Sequence, residues 1–330
     1  MIAKSIRNSI FLLFLIVTFS GCFKEDTPIE PVLRNGIKIA HSIYDYQSFY
    51  DLSSDSIFTT PNTKWDLAFE SSATGWRVRI NYSNLQGLYR TGSSDFGAES
   101  YVIDNKKWIY DASSGNPDST AIGNWREVTG DGPQIYLLGT YDGVRYRPHR
   151  KLKFLSVNDT AYNFSFANMN NTDIISVTIK KDSGYNLVYY SLSKKDTVIV
   201  EPAKNRWDLL FTQYTTTLFT DAGVPTPYIV RGVYVNPNNV AVMLDTISSF
   251  ADITAQNINL NKLSGVQDVI GYDWKSVEIN QSANTANYAV RRNYSYLIRD
   301  TKGDFYKFRF LSYVNDSLKV GYPMFEKVKL

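Results

Sequence analysis

The sequence predicts an all-β protein composed of two related antiparallel β modules. Aromatic residues make up 15% of the chain, with 24 Tyr and 18 Phe, and aromatic side chains favour strands. Residues 76–82 and 305–313 alternate in the way that half-buried strands do, and turn-forming pairs separate such segments. At 330 residues the chain is longer than one ordinary hydrophobic core, so two modules are expected.

A repeated motif, W-D-L-x-F, is the third observation behind this prediction. It occurs once in each half of the chain, and residues 37–53 align without a gap with residues 177–193 upstream of the two motifs. Downstream, NWREV matches DWKSV, YLLGTYDG matches YLIRDTKG, and KLKFLSVND matches KFRFLSYVND, in the same order along the chain. We therefore predict an internal duplication.

The duplication sets the expected domain boundaries. We predict a first β module at residues 36–171 and a second at residues 172–330. In an extended W-D-L-x-F segment, Trp, Leu and Phe alternate with the other two residues and should share one face. Trp65 and Trp207 are accordingly expected in the core, with Leu and Phe beside them.

The chain begins with a basic region, containing Lys4 and Arg7, followed by a short apolar run. This pattern is typical of a secretory signal and is too short for a stable membrane span. The only cysteine, Cys22, ends the tetrad FSGC, which resembles the bacterial lipobox, whose cysteine becomes the acylated first residue of the mature protein. We predict a signal peptide at residues 1–21 and lipidation at Cys22. A buried free thiol near an ordinary cleavage site is the alternative.

The segment after the cysteine is polar and predicts a tether over residues 22–35. Within it, Lys24, Glu25 and Asp26 resemble the short Lys-plus-acidic export signal of Bacteroidota surface lipoproteins. This resemblance implies a protein that is lipid-anchored in the outer membrane and exposed at the cell surface. An anchor facing the periplasm is the alternative.

The composition argues against an enzyme and against a nucleic-acid-binding protein. The formal charge is only +3, without a run of like charges. The sequence lacks G-x-S-x-G, G-x-x-x-x-G-K, H-E-x-x-H and C-x-x-C, and its two histidines, His41 and His149, lie in separate segments. We predict no catalytic residues and no metal site. A hydrolase with unrecognised carboxylates is the least favoured alternative.

The W-D-L-x-F motif, together with the closing segment YLIRDTKGDFYKFRFLSYVNDSLKVGYPMFE at residues 296–326, resembles the HmuY family of outer-membrane lipoproteins that capture haem. The second half carries the resemblance best. It implies a grip-like all-β fold and haem held through two axial His or Met side chains. It also implies haem or a haemoprotein as the ligand, and a TonB-dependent receptor as a partner.

In the family, the axial ligands lie between W-D-L-x-F and the closing hairpin. In the second half this interval, residues 212–295, contains one candidate, Met243, whereas residues 70–135 of the first half contain neither His nor Met. Thioether sulfur is a known haem ligand, although Met in an apolar run such as VAVMLDT usually fills a core. Met243 is therefore the axial candidate, and the second module is the better haem site. A second ligand would have to come from a Tyr or from Met169, Met324 or His149.

A surface lipoprotein that binds a glycan or a protein instead of haem is the alternative function. Aromatic side chains would then stack on the ligand, and the candidates in the second half are Tyr214, Tyr228, Tyr234 and Tyr272. The chain also contains triplets that resemble the D-[S/T]-aliphatic sequon for O-glycosylation in Bacteroidota and that equally suit turns, at Asp55, Asp118, Asp159, Asp196, Asp245 and Asp316.

Overall fold

The structure is a computed structural model that describes residues 36–128, 132–219, 221–280 and 285–330. The predicted signal peptide and tether lie outside the described residues, and so do Cys22, Lys24, Glu25 and Asp26. Within the described ranges, no helix is both long enough and apolar enough to cross a membrane.

The described chain is built from antiparallel strands, which confirms the predicted fold class. The strands are β1 (Ile37–Lys38), β2 (Tyr46–Tyr50), β3 (Ile57–Pro61), β4 (Leu67–Glu70), β5 (Val78–Ile80), β6 (Gln86–Arg90), β7 (Tyr136–Tyr141), β8 (Tyr146–Val157), β9 (Ala161–Ala167), β10 (Ile175–Lys180), β11 (Leu187–Ser191), β12 (Asp196–Val198), β13 (Leu209–Phe219), β14 (Pro225–Val235), β15 (Ala241–Asp245), β16 (Lys275–Asn280), β17 (Thr285–Val290), β18 (Ser295–Arg299), β19 (Phe305–Val314) and β20 (Val320–Lys329). Short 3-10 helices occur at Asn62–Lys64, Asn105–Lys107, Ala255–Asn257 and Leu260–Lys262.

The strands form four larger sheets and one separate hairpin. Sheet I has the order β10–β9–β8–β7–β6, and sheet II has the order β12–β11–β4–β5. Sheet III has the order β14–β13–β2–β3, and sheet IV has the order β1–β20–β19–β18–β15. The hairpin consists of β16 and β17.

The four sheets stack as layers, and a buried hydrophobic cluster lies between each pair of neighbouring sheets. The first-half core joins sheets I and II and includes Leu67, Phe69, Phe154 and Phe164. The second-half core joins sheets III and IV and includes Leu209, Phe211, Phe308 and Phe325. The middle core joins sheets II and III and includes Ala68, Tyr189, Leu210 and Tyr234. Alternate residues of β4 and β13 thus face different cores, as the period of a strand requires.

Strand pairing crosses the predicted boundary between residues 171 and 172. Strands β1 and β2, which precede that boundary, pair with β20 and β13. Strands β10 and β11, which follow it, pair with β9 and β4. The two halves therefore exchange their N-terminal strands, and Asn35–Leu330 forms one compact unit. The duplication itself stays a prediction.

The Asp of each W-D-L-x-F motif holds the exchanged segment in place. The Asp66 carboxylate accepts a hydrogen bond from the backbone N–H of Leu192 at 2.7 Å. The Asp208 carboxylate accepts the same kind of bond from Leu52, also at 2.7 Å. Leu52 and Leu192 occupy the same place in the aligned segments. Both motifs therefore make one contact, and each makes it with the other half.

The tryptophans of the two motifs are buried but not in the expected core. Trp65 and Trp207 are 1% and 4% exposed and belong to the middle core. The expectation that they share a face with Leu and Phe is wrong, because β4 and β13 begin two residues after Trp. Trp65 packs edge-on against Tyr189, and Trp207 packs edge-on against Phe49, each with ring centroids 5.0 Å apart.

A candidate ligand cavity in the second half

A cavity of about 470 Å³ lies between the outer part of β14, the β16–β17 hairpin and the end of β19. This volume is within the usual range of small-molecule sites. Its walls consist of Leu218, Tyr228, Ile229, Val230, Arg231, Tyr272, Lys275, Ser276, Val277, Ala286, Tyr288 and Tyr313.

The cavity depends on the length of the β13–β14 hairpin. The two strands pair along their whole length, from Leu209 with Val235 to Phe219 with Pro225. Strand β2 pairs only with the first three residues of β13, so the hairpin extends well past that neighbour. Threonine and aromatic residues dominate this extension, and both favour extended backbone.

Tyrosines provide most of the aromatic wall. Tyr228 is 53% exposed, Tyr272 and Tyr288 are half-buried, and Tyr313 is buried. Burial, followed by a hydrogen bond with Tyr44, raises the pKa of Tyr288 to about 12. Burial also raises the pKa of Tyr272 and of Tyr313. Tyr272, Tyr288 and Tyr313 therefore remain neutral phenols at physiological pH, able to stack and to donate hydrogen bonds.

Lys275 is one of two cations on the wall. Its ammonium donates to the backbone carbonyl oxygens of Arg231 and, at 3.3 Å, Tyr272. It also lies 4.3 Å from the ring centroid of Trp274. Burial, followed by the nearby positive charge of Arg231, lowers the pKa of Lys275 to about 7. An anionic group in the cavity would favour its charged form.

Arg231 is the second cation. Its guanidinium lies 4.2 Å from the ring centroid of Tyr44 and donates to the carbonyl oxygen of Ile229 at 3.1 Å. Among the described residues, no carboxylate is within ion-pair distance of Arg231 or Lys275. The cavity therefore combines aromatic surface with two positive charges that have no ion-pair partner there.

Met243, the axial candidate from the sequence, lies on β15 and not on the cavity wall. It is 8% exposed and packs with Ile253 and Leu297. Its sulfur accepts a hydrogen bond from the backbone N–H of Asn259 at 3.4 Å. Ligation of haem iron by Met243 stays a prediction.

The other side chains considered as iron ligands also lie away from this wall. Met324 is buried on β20, and Met169 packs against the first-half residues around Trp108. His149 is half-buried on β8, and burial lowers its pKa. In the described part of the chain, no group of three His, Cys, Asp or Glu side chains is placed to hold a metal ion.

The tyrosines considered as stacking residues separate into two pairs. Tyr228 and Tyr272 line the cavity, whereas Tyr214 and Tyr234 stack on each other in the middle core, with centroids 4.2 Å apart. Lys275 is not among the residues that the sequence predicts for the site. A signal existed, because a cation follows Trp in both NWREV and DWKSV.

The structure is an all-β fold of antiparallel sheets whose second half contains a tyrosine-lined cavity. Residues 183–326 match the family model of the HmuY protein, and this region contains every residue of the cavity wall. This match confirms the resemblance to the family that the sequence shows, and it covers less than half of the chain. The family is one of binding proteins. No curated protein matches the chain.

Three solved structures are similar to this chain. A protein proposed to be HmuY-like and haem-binding, from Bacteroides vulgatus, is 13% identical, covering 58% of this chain and 96% of its own, with a TM-score of 0.25. Apo PinO from Porphyromonas gingivitis is 7% identical, covering 89% and 95%, with a TM-score of 0.25. A protein proposed to be a lipoprotein, from Bacteroides fragilis, is 19% identical, covering 55% and 89%, with a TM-score of 0.20.

Proposed function

We propose that the protein is a cell-surface lipoprotein that captures a planar aromatic acid of the haem class in the second-half cavity. The observation that carries the proposal is the pair Arg231 and Lys275, two cations without a carboxylate partner among the described residues, beside a wall of tyrosines. A flat ring with carboxylate substituents complements both parts of this wall.

Haem fits this wall as a cargo molecule. Its ring would pack against Tyr228, Tyr272 and Tyr288, and its propionates would pair with Arg231 and Lys275. The wall contains neither His nor Met, so a tyrosine phenol is the available side chain of a known axial-ligand type. Ligation by Met243 would instead require this buried side chain to leave its cluster.

The charge on Lys275 makes capture pH-dependent. Pairing with a carboxylate favours the protonated amine, so a lysine with a pKa of about 7 takes up a proton when the ligand binds at higher pH. Affinity should fall as the pH rises from 7 to 9, because an increasing fraction of Lys275 must be protonated on binding.

Titration of the mature chain with haemin and with iron-free protoporphyrin IX tests the proposal. We expect a shifted Soret band and quenched protein fluorescence with both, since stacking and charge do not require iron. Tyr228→Ala should weaken binding about tenfold, whereas Tyr322→Ala, a half-buried tyrosine outside the wall, should leave it unchanged. Absence of binding by both porphyrins would contradict the proposal and favour a glycan or protein ligand.

The proposed location rests on the lipobox-like tetrad ending at Cys22 and on the export signal at Lys24, Glu25 and Asp26. A TonB-dependent receptor would be the partner that accepts the cargo, by family resemblance alone. Cys22→Ser should move the protein from the membrane fraction to the soluble fraction. Unchanged detergent partitioning would argue against the anchor.

A further inference from the structure

A second cavity, of about 270 Å³, lies between sheets II and III beside the middle core. Both halves of the chain line it, with Trp65 and Arg79 from the first half and Tyr189, Glu201 and Lys204 from the second. It is separate from the tyrosine-lined cavity, since the two share no wall residue.

Glu201 is the unusual group of this cavity. It is 2% exposed, and its Oε1 accepts hydrogen bonds from the backbone N–H groups of Asn186 at 2.8 Å and Leu187 at 2.9 Å. Its other oxygen accepts a hydrogen bond from the hydroxyl of Tyr189 at 3.5 Å. Among the residues that the structure describes, no Lys or Arg forms an ion pair with Glu201. A buried carboxylate in such surroundings is costly to maintain.

The rest of the cavity wall supplies positive charge and aromatic surface. Arg79 uses one guanidinium nitrogen to donate to the carbonyl oxygen of Gly115 at 2.9 Å. Lys204 provides a second cation on the same wall. The other acidic residue of the wall, Glu70, already accepts the backbone N–H groups of Trp76 and Arg77 and pairs with the Arg77 guanidinium.

Aromatic rings form the apolar part of the wall. The ring of Trp65 lies edge-on to Tyr82 and Tyr189, with centroids 5.2 and 5.0 Å away. The volume is just below the range for drug-sized ligands, so it suits a smaller molecule and is too small for a porphyrin.

We propose that this cavity binds a small zwitterion with an apolar side chain, of which a free aromatic amino acid is the simplest example. The ligand ammonium pairs with Glu201, and its carboxylate pairs with Arg79 and Lys204. Its side chain packs against the rings of Trp65 and Tyr189. The site is independent of porphyrin capture.

Isothermal titration of the mature chain with L-phenylalanine, 2-phenylethylamine and 3-phenylpropionate tests this assignment. We expect L-phenylalanine to bind, and each analogue, which lacks one charged group, to bind at least tenfold more weakly. Lack of heat with all three, which means a cavity filled by water alone, overturns the proposal. Equal affinity of L-phenylalanine and either analogue also overturns it.

Variants assign the two ends of the ligand. Glu201→Gln keeps the oxygen that accepts the Asn186 and Leu187 N–H groups, so it should fold, and it should weaken L-phenylalanine binding at least tenfold. Lys204→Met should weaken L-phenylalanine binding and leave 2-phenylethylamine binding unchanged. The exposed Glu99→Gln serves as the matched control. Unchanged L-phenylalanine affinity in Glu201→Gln would rule out the site.

Discussion

The two halves of the molecule differ most at one pair of aligned positions, Trp76 in the first half and Arg231 in the second. Asn81 and Asn236 each donate a side-chain N–H to the carbonyl oxygen of the motif Trp, at 2.7 Å in both halves. Five residues before these asparagines stand Trp76 and Arg231, respectively. An aromatic side chain in the first half is thus replaced by a cation in the second.

In the first half this place is filled. The Arg126 guanidinium lies 3.8 Å from the ring centroid of Trp76, and the indole N–H of Trp125 donates to the Trp76 carbonyl oxygen at 2.9 Å. In the second half the matched cation is Lys275, beside Arg231. Trp274 stacks on Phe310 with ring centroids 3.8 Å apart, and the space beside Arg231 and Lys275 belongs to the cavity.

Strand length accounts for the rest of the difference. Strands β4 and β5 have four and three residues, whereas β13 and β14 have eleven each. Only the longer hairpin reaches the β16–β17 hairpin to enclose a volume, as the shared walls of the cavity demonstrate. The position of Trp76 in the first half is therefore filled, whereas the aligned position of Arg231 in the second half borders an open, positively charged cavity.

The exchange of strands between the halves should make the largest contribution to stability. Asp208 accepts the N–H groups of Leu52 at 2.7 Å and Thr301 at 2.9 Å, and Asp208→Ala leaves both without a partner. We expect a loss of about 2–4 kcal/mol in the free energy of unfolding. Asp66→Ala, which frees the N–H of Leu192, should cost somewhat less. Urea titrations measure both, with the exposed Asp196→Ala as control. Losses below about 0.5 kcal/mol in both variants would mean that the motif does not hold the exchange.

Glu201 should give the next largest effect, and its sign depends on pH. Burial raises its pKa from 4.5 to about 7, so the folded chain retains a proton that the unfolded chain has lost between these values. Stability should therefore decrease as the pH rises from about 4.5 to 7. Glu201→Gln should be about 1–3 kcal/mol more stable than the wild type at pH 8 and equal to it at pH 4.

The first half provides the internal comparison for this measurement. Burial also raises the pKa of Asp111, to about 6, so a smaller dependence on pH should persist in Glu201→Gln. Thermal unfolding curves recorded from pH 4 to 8 report both. Identical curves for the wild type and the variant would contradict the assignment to Glu201.

Met243 should give the smallest effect. Met243→Leu conserves the volume of an apolar cluster, so the free energy of unfolding should change by about 1 kcal/mol or less. Haemin affinity should stay the same if a tyrosine of the cavity faces the iron. A Soret shift that disappears in this variant, with the fold intact, would favour Met243 as the axial ligand.

The sequence predicts the architecture better than the pairing. Aromatic alternation and the HmuY-like closing segment correctly indicate an antiparallel β fold. The sequence does not predict that β1 and β2 pair with the second half, or that β10 and β11 pair with the first. A strand meets the same apolar pattern whether it pairs within its own half or with the other half. Trp65 was placed on the wrong face because its strand begins two residues later than the motif.

The sequence predicts the residues of the cavity wall only in part, for a similar reason. Tyr228 and Tyr272 were candidates, but Tyr214 and Tyr234 have the same composition signal and are packed inside. Arg231 and Lys275 are distant in the sequence, and the approach of β16 to β14 brings them together. Spacing along the chain does not encode that approach.

The claim that the second-half cavity captures the porphyrin is tested most directly by placing the first-half Trp–Arg pair in the second half. The double variant Arg231→Trp with Lys275→Arg recreates the pair formed by Trp76 and Arg126 at the matched place. Protoporphyrin IX and haemin titrations, with circular dichroism to verify the fold, should show at least a tenfold loss of affinity. Porphyrin affinity equal to that of the wild type in a folded double variant would contradict the assignment of capture to this cavity.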